Sequence, residues 1–189
     1  YHRCLDCELV WLDEADHLDD AAEKAVYDGH DNRVDDPRYR GFLMRAFGEV
    51  LSRVSPPACG LDFGCGPGPA LIAMGRESGF DMAGYDKFYA DQPELLTRRY
   101  DFITSTEVIE HLAAPRAVLD GLWACLNPGG VLVLQTQRVL GDERFKSWRY
   151  RHDPTHIVFF AEASFRALAA RWQADLCFPH TDVAVFTKP

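Results

Sequence analysis

Three glycines at alternate positions form the clearest chemical signal in this sequence. Gly64, Gly66 and Gly68 follow an apolar run at 60–63, and a helical pattern begins directly after them. Glycines let the backbone turn sharply and approach a ligand closely, while a helix N-terminus presents unpaired N–H groups. Dinucleotide loops of the G-x-G-x-x-G/A type require Gly or Ala where this chain has Pro69. The loop therefore favours a smaller, zwitterionic ligand.

Asp86 ends the next predicted strand, about 20 residues beyond the glycine loop. A carboxylate at that position can accept hydrogen bonds from both hydroxyls of a ribose. The alternative for a single Asp after a strand is a helix cap. Because the glycines and Asp86 occur in register in one strand–helix–strand unit, together they predict a ligand-binding site.

A second signal combines carboxylates with imidazoles. Glu107, Glu110 and His111 are spaced i, i+3 and i+4, which predicts one face of a helical turn just after a strand, and His156 lies in a later segment. If the two segments converge, His111 or His156 is a candidate general base for a substrate hydroxyl or amine. A divalent metal held by the four residues is the second interpretation, and a structural role is the third.

Two cysteines near the start have metal-ligand spacing. Cys4 and Cys7 form a C-x-x-C pair, which can supply two of the four ligands of a tetrahedral Zn²⁺. Because no second pair follows, we predict half of a zinc ribbon whose other pair would lie upstream; two reduced thiols are the alternative. The remaining cysteines occur singly in apolar segments, as small core residues do: Cys59, Cys65, Cys125 and Cys177.

A basic, aromatic loop at 138–151 is a candidate contact for an anionic or aromatic substrate. A solvated surface loop is the alternative. Its basic residues are Arg138, Arg144, Lys146, Arg149 and Arg151, and its aromatic residues are Phe145, Trp148 and Tyr150.

Alternating strands and helices must position these groups. We predict strands near 60–63, 82–85, 102–105 and 131–136, a closing hairpin at 174–178 and 183–187, and helices near 20–27, 42–54, 69–78, 108–111 with its continuation, 116–126 and 161–173. Asn127-Pro128-Gly129-Gly130 is expected to form a turn. This alternation predicts an α/β fold with a doubly wound, mostly parallel sheet covered by helices on both faces.

Composition limits the function classes. The 189 residues are 47% hydrophobic and 26% charged, with a net charge of −9, which predicts one sizeable folded domain and argues against a general nucleic-acid binder. Residues 1–40 hold twelve acidic and five basic residues, so most of the excess charge lies there. We predict two parts, a half zinc ribbon with an acidic linker at 1–40 and the main domain at 41–189. No run is apolar enough to span a membrane, and we expect a cytoplasmic protein.

The motifs together resemble the class I S-adenosylmethionine-dependent methyltransferases, over roughly residues 41–189. The motifs that carry the resemblance are the glycine loop at 61–68, Gly84-Tyr85-Asp86, the segment at 100–112 and the segment at 126–132. The family closes its sheet with an antiparallel last strand, which the final hairpin matches. Fifteen residues separate Asp86 from Phe102, so the family's third strand is expected to be short or absent.

The resemblance also implies roles for individual residues. The glycines would line the methionine part of the cofactor, Asp62 would lie near its ammonium group, Asp86 would bind the ribose and Phe88 is a candidate to stack on adenine. The full set of implied cofactor-binding residues is Asp62, Gly64, Cys65, Gly66, Gly68, Asp86, Phe88 and Thr106. The carboxylate and imidazole set is similar to metal sites of small-RNA 2′-O-methyltransferases and ubiquinone-pathway O-methyltransferases.

Our leading hypothesis is an S-adenosylmethionine-dependent methyltransferase that acts on a small molecule, such as a sugar or another biosynthetic metabolite. O-methylation is favoured over N- or C-methylation, with His111, His156 and Glu107 as candidate catalytic residues. Three alternatives stay open: a cofactor-binding module without catalysis, a metal-assisted RNA 2′-O-methyltransferase, and a nicotinamide-dependent oxidoreductase.

Overall fold

The computed structural model describes residues 1–29 and 32–189, so residues 30 and 31 of the predicted linker lie outside the described part. The strands are His2–Arg3 (β1), Val10–Trp11 (β2), Cys59–Phe63 (β3), Asp81–Tyr85 (β4), Tyr100–Thr106 (β5), Leu126–Gln135 (β6), Val158–Phe159 (β7), Asp175–His180 (β8) and Val183–Thr187 (β9). The α-helices are Asp20–Tyr27 (α1), Pro37–Leu51 (α2), Ala70–Glu77 (α3), Pro115–Cys125 (α4), Asp142–Lys146 (α5) and Glu162–Trp172 (α6).

The main sheet has six strands in the order β4-β3-β5-β6-β9-β8. The first four strands are parallel to one another, and β9 is antiparallel to both of its neighbours, β6 and β8. The predicted α/β fold, its parallel sheet and its closing hairpin are therefore confirmed. Only a 3-10 helix, Pro93–Thr97, lies between β4 and β5, as expected from the short spacing.

Helices cover both faces of this sheet. Residues of the central strands alternate between the faces, so that Ile103 and Leu132 pack toward α4 and α6, while Phe102 and Val131 pack toward α2 and α3. All four side chains are at most 2% exposed. Two apolar layers thus hold the strand ends, and with them the loops after the strands, in fixed positions.

Three local predictions differ from the structure. α2 begins at Pro37, earlier than predicted, because Asp36 caps it and proline suits the first helical position. The predicted helix at 108–111 is a single 3-10 turn, Ile109–His111, and the continuation is absent. The expected turn at 127–130 is the irregular start of β6, where Gly129 has a φ of +77° and its N–H bonds Lys188 O.

The N-terminal segment pairs with the rest of the chain. β1 and β2 form a three-stranded antiparallel sheet with β7. The Leu12 N–H donates to Ile157 O, and the Ser164 hydroxyl donates to Cys7 O. The predicted division at 40/41 lies inside α2 and stays a prediction.

Within the described ranges, no helix is both long and apolar enough to cross a membrane.

Candidate functional site

A cavity of about 860 Å³ opens where the loops after β3, β4 and β5 meet. In parallel sheets this edge is the usual place for a ligand. The walls come from those loops, from α1 and α2, and from the segment at 148–156. The volume falls within the ~300–1,000 Å³ that is common for small-molecule sites.

The glycine loop has the backbone shape that its sequence predicts. Gly64 and Gly66 have φ values of +80° and +60°, which side chains rarely tolerate. A Cβ on Gly64 would lie 2.3 Å from the Val108 side chain, and a Cβ on Gly68 would lie 1.7 Å from Asn32 O. At Gly66 no atom lies within 4 Å of that position, so the loop presents bare backbone to open space there.

Asp86 joins the glycine loop to the loop after β4. Its Oδ2 accepts from the Gly66 N–H at 3.0 Å, and its Oδ1 accepts from the N–H groups of Phe88 and Tyr89 at 2.9 and 3.1 Å. A carboxylate offers about four lone-pair sites. Three of them already hold the two loops in place, which leaves about one for a ligand hydroxyl, whereas the sequence suggested that both ribose hydroxyls bind here.

Asp62 is a buried carboxyl beneath the loop. Burial raises its pKa to about 7, the Thr104 hydroxyl that donates to Oδ1 at 2.9 Å lowers it, and the Asp86 carboxylate raises it. Burial and the charge of Asp62 also raise the pKa of Tyr39 to about 12. The same two causes raise the pKa of Cys65 to about 12. Asp62 is therefore within electrostatic range of the cavity wall, where a cation would favour its ionised form.

α1 lies over the adjacent part of the cavity and acts as a cover. Lys87 Nζ bonds Glu23 at 2.7 Å and Asp20 at 3.2 Å, and it lies 4.4 Å from the centre of the Phe88 ring. The Tyr27 ring lies 5.9 Å from that of Phe88. Two acidic residues of the N-terminal segment, Asp20 and Glu23, thus bind α1 to the loop after β4 that contains Lys87.

Two carboxyls, the half-buried Glu107 and the buried Glu110, share one tyrosine. The Tyr150 hydroxyl lies 3.0 Å from Glu107 Oε2, also bonds Glu110 Oε1, and lies 3.2 Å from Thr136 Oγ1. Burial, followed by the charge of Glu110, raises the pKa of Glu107 to about 8, and burial also raises that of Glu110. One hydroxyl proton cannot serve two carboxylates, so a protonated Glu107 fits this arrangement. Glu107 has a φ of +52° and lies outside the 3-10 turn, which corrects the single helical face that its spacing predicted.

The two histidines meet beside this pair. Their ring centres are 4.7 Å apart. His111 Nδ1 lies 2.9 Å from Thr155 O, and His156 Nδ1 lies 2.7 Å from Tyr150 O. A carbonyl can only accept, so each neutral ring carries its proton on Nδ1 and its lone pair on Nε2. Burial, with the nearby His111, lowers the pKa of His156 and favours that neutral form.

The family assignment follows from a comparison with known proteins. The family described as "Methyltransferase domain" matches residues 35–176. The chain belongs to this family. The resemblance to class I S-adenosylmethionine-dependent methyltransferases is thereby confirmed.

The curated relatives that this chain matches share the same name. A ubiquinone biosynthesis O-methyltransferase of Psychrobacter arcticus is 34% identical, over 40% of this chain and 39% of the relative. A protein of the same name from Histophilus somni is 25% identical, over 53% of this chain and 42% of the relative. The chain thus spans about two fifths of the length of these relatives.

Solved structures share the methyltransferase fold at low identity. A SAM-dependent methyltransferase from Archaeoglobus fulgidus has a TM-score of 0.59 at 12% identity, covering 79% of this chain and 94% of that one. An N-methyltransferase from Bradyrhizobium japonicum, in complex with S-adenosylhomocysteine, has a TM-score of 0.53 at 19% identity, covering 89% and 97%. A magnesium protoporphyrin IX methyltransferase from Synechocystis, with bound S-adenosylmethionine, has a TM-score of 0.55 at 16% identity, covering 91% and 98%.

The residues present at this site fit S-adenosylmethionine. The bare backbone at Gly66 gives a cradle that a Cβ would fill, and the acidic groups nearby suit an ammonium and a hydroxyl. Asp62, which is buried and bonded to the Thr104 hydroxyl, and Gly68 do not line the cavity. The predicted cofactor-binding residues that do line it are Gly64, Cys65, Gly66, Asp86, Phe88 and Thr106.

Candidate metal ligands occur in two places in the described chain. Ligand atoms of Glu110, His111 and His156 lie within 4.8 Å of one another, and Glu107 is outside this group. Cys4 and Cys7 have no third His, Cys, Asp or Glu ligand close enough to join them among residues 1–29 and 32–189. The zinc half-site stays a prediction.

Two contributors to the site were not identified from the sequence. Tyr150 was noted only as an aromatic of the basic loop, although its hydroxyl bonds the carboxyls of both Glu107 and Glu110. Tyr27 of α1 lines the cavity, and its ring lies 5.3 Å from that of His111. The available signal was the pair of glutamates after a strand, because buried carboxyls need a donor from elsewhere in the chain.

Proposed function

We propose that this chain transfers the methyl group of S-adenosylmethionine to an oxygen atom of a small-molecule acceptor. One observation carries the proposal: a single cavity is lined both by the glycine loop with Asp86 and by His111 and His156. The glycine loop and Asp86 suit a nucleoside-type cofactor. The imidazoles can take the proton that an oxygen acceptor loses when it is methylated.

The cofactor, when bound, supplies a methyl group that its sulfonium already activates, so the protein mainly aligns the reactants. In this proposal the glycine loop approaches the methionine part, and Asp62 favours the ammonium group by its charge. The remaining acceptor site of Asp86 takes a ribose hydroxyl. Phe88 packs beside the adenine, and Cys65 and Thr106 complete the wall.

His111 is the proposed base, because it is more exposed to the cavity than His156. The Thr155 carbonyl orients its ring, so Nε2 is the atom that accepts the acceptor's proton. His156 packs against the same ring, and Glu107 lies beside the pair with its proton shared toward Tyr150. Glu107 and His156 therefore position the base in this scheme.

A divalent cation at Glu110, His111 and His156 is a second candidate feature. Each imidazole donates its other ring N–H to a carbonyl, as metal-ligating histidines do, and Glu110 Oε2 is buried without a hydrogen-bond partner in the described chain. A cation there would orient the acceptor hydroxyl and lower its pKa. An RNA acceptor is disfavoured by the net charge of −9.

Calorimetry and radiolabelled methyl transfer test the main proposal. S-adenosylhomocysteine should bind, and labelled S-adenosylmethionine should methylate a member of a panel of phenols, sugars and nucleotide-linked sugars. His111→Ala should keep the cofactor affinity and lower transfer about 10²–10⁴-fold. His152→Ala is the matched control, because His152 is exposed and does not line the cavity.

Other outcomes favour the alternatives. Cofactor binding without transfer to any acceptor would favour a silent binding module, and binding of NADH without S-adenosylhomocysteine would favour an oxidoreductase. Activity that EDTA abolishes and Mg²⁺, Mn²⁺ or Zn²⁺ restores would support the metal site. Full activity after EDTA would reject it.

A further inference from the structure

The basic residues of the loop at 138–151 face different surroundings. Arg138 donates to His180 O and stacks on Phe178, and Lys146 pairs with Glu143. The Arg151 guanidinium lies 5.3 Å from the ring centres of both Tyr1 and Phe145. The exposed residues Arg144 and Arg149 remain, and of the loop's basic residues only Arg149 lines the cavity.

Arg149 is held at the cavity wall by its neighbours in the chain. It begins a 3-10 turn, Arg149–His152, directly after Trp148. The Trp148 ring lies 5.1 Å from Tyr150 and 5.8 Å from the buried Phe159, so packed aromatic rings hold the backbone on both sides of Arg149. Its guanidinium forms no hydrogen bond or ion pair with another described residue.

The other charges of the cavity already have partners. Lys87, the second Lys or Arg that lines it among the described residues, is paired with Asp20 and Glu23 of α1. The Asp153 carboxylate accepts from the N–H and the hydroxyl of Thr155. The wall formed by residues 148–150 therefore carries one positive charge, Arg149, that bonds no other residue among 1–29 and 32–189.

Tyr39, Phe42 and Trp148 also line this cavity. We propose that Arg149 binds an anionic group of the methyl acceptor, a carboxylate or a phosphate, while these three rings contact the body of the acceptor. This assignment rests on the proposed function. A guanidinium binds either anion through two parallel hydrogen bonds, and aromatic side chains favour a flat, partly apolar molecule. The site thus selects acceptors by charge as well as by the hydroxyl that is methylated.

A matched set of ligands tests this selection. 4-Hydroxybenzoate, 4-hydroxyphenyl phosphate and the uncharged methyl 4-hydroxybenzoate share one hydroxylated ring and differ in charge. Each is titrated by calorimetry into protein saturated with S-adenosylhomocysteine. At least one anion should bind about ten- to a hundredfold more tightly than the ester, which is the range for a hydrogen-bonded charged group. The stronger of the two anions identifies carboxylate or phosphate as the group recognised.

Two variants assign the preference to a residue. Arg149→Gln should remove the preference for the anion and leave S-adenosylhomocysteine binding unchanged. Arg144→Gln, which removes an equal charge from the same loop away from the cavity, should keep the preference. Three results would overturn the proposal: equal binding of anion and ester by the wild type, no detectable binding of either anion at about 10 mM, or an unchanged preference in Arg149→Gln. If the wild type does not bind S-adenosylhomocysteine, the proposed function itself is refuted.

Discussion

The buried carboxyl of Asp62 predicts how cofactor binding depends on pH. Its pKa of about 7 means that burial keeps much of it protonated in the unliganded protein at neutral pH. An ammonium group near it would stabilise the ionised form and lower that pKa. Below pH 7, binding must therefore release a proton, and the affinity must fall as the pH falls.

The size of the effect follows from linkage. The dissociation constant rises at most tenfold for each pH unit below about 7, so binding at pH 5.5 should be up to about thirtyfold weaker than at pH 7.5. Above pH 8 the cofactor's own α-amino group loses its proton, since such groups titrate near about 7.7–8.0, and the affinity should fall again. We expect the tightest binding between these limits.

Calorimetric titration of S-adenosylhomocysteine from pH 5.5 to 8.5 measures this profile. Asp62→Asn should bind more weakly at pH 7.5 and show no loss on the acid side. Thr104→Val removes the hydrogen bond that lowers the pKa of Asp62, so the acid limb should move to higher pH. A flat wild-type profile below pH 7, or the same acid limb in Asp62→Asn, would refute the reasoning.

Asp62 also makes the stability of the folded protein depend on pH. The pKa of Asp62 rises on folding from 3.8 to about 7, so its contribution to stability is complete below pH 4 and is lost as the pH rises through 7. This loss is about 4 kcal/mol, at about 1.4 kcal/mol for each pH unit. Urea titrations of wild type and Asp62→Asn at pH 5 and 8 should therefore differ in their pH dependence.

Four further substitutions test the site. Asp86→Asn should weaken S-adenosylhomocysteine binding about ten- to a hundredfold, because an amide would replace the charged acceptor of the Gly66 N–H; an unchanged Kd would contradict this. Gly64→Ala should lower the free energy of unfolding in urea by about 2–4 kcal/mol through backbone strain and a clash at 2.3 Å. Gly66→Ala meets no clash but still strains a backbone with a φ of +60°, so it should cost about 1–2 kcal/mol of stability, less than Gly64→Ala, and should also weaken cofactor binding; unchanged cofactor affinity would be inconsistent with the cavity. Tyr150→Phe should cost about 1–3 kcal/mol in the same urea assay and slow methyl transfer, because the hydroxyl bonded to Glu107 is lost; wild-type behaviour in both assays would argue against the shared hydrogen bonds.

The sheet and the glycine loop were predictable because local patterns specify them. Apolar runs separated by helical periods predict parallel strands, and the alternation of Phe102 with Ile103 follows from the two-residue period of a strand. Glycines with positive φ at 64 and 66 have few alternatives. The missing third strand followed from the length of chain between Asp86 and β5 alone.

The acceptor side of the cavity was less predictable because tertiary contacts decide it. The spacing of Glu107 and Glu110 indicated a helix, but Tyr150, forty residues later than Glu110, holds both carboxyls in a different geometry. The basic loop read as one cationic patch until partners from distant segments were known, such as the carbonyl of His180 for Arg138. Hydrogen bonds between distant segments of this kind produce no repeating pattern in the sequence, so they cannot be predicted from it.

The pairing of β2 with β7 also protects the protein against self-association. Val158 and Phe159 of β7 are 3% and 1% exposed and lie in a continuous apolar stretch at 157–161. Without β2, the N–H and C=O groups of Val158 and Phe159 would form an uncovered strand edge, which is a template for pairing with another chain. A version of the protein shortened by its first twelve residues would therefore aggregate before any change in its chemistry could be measured.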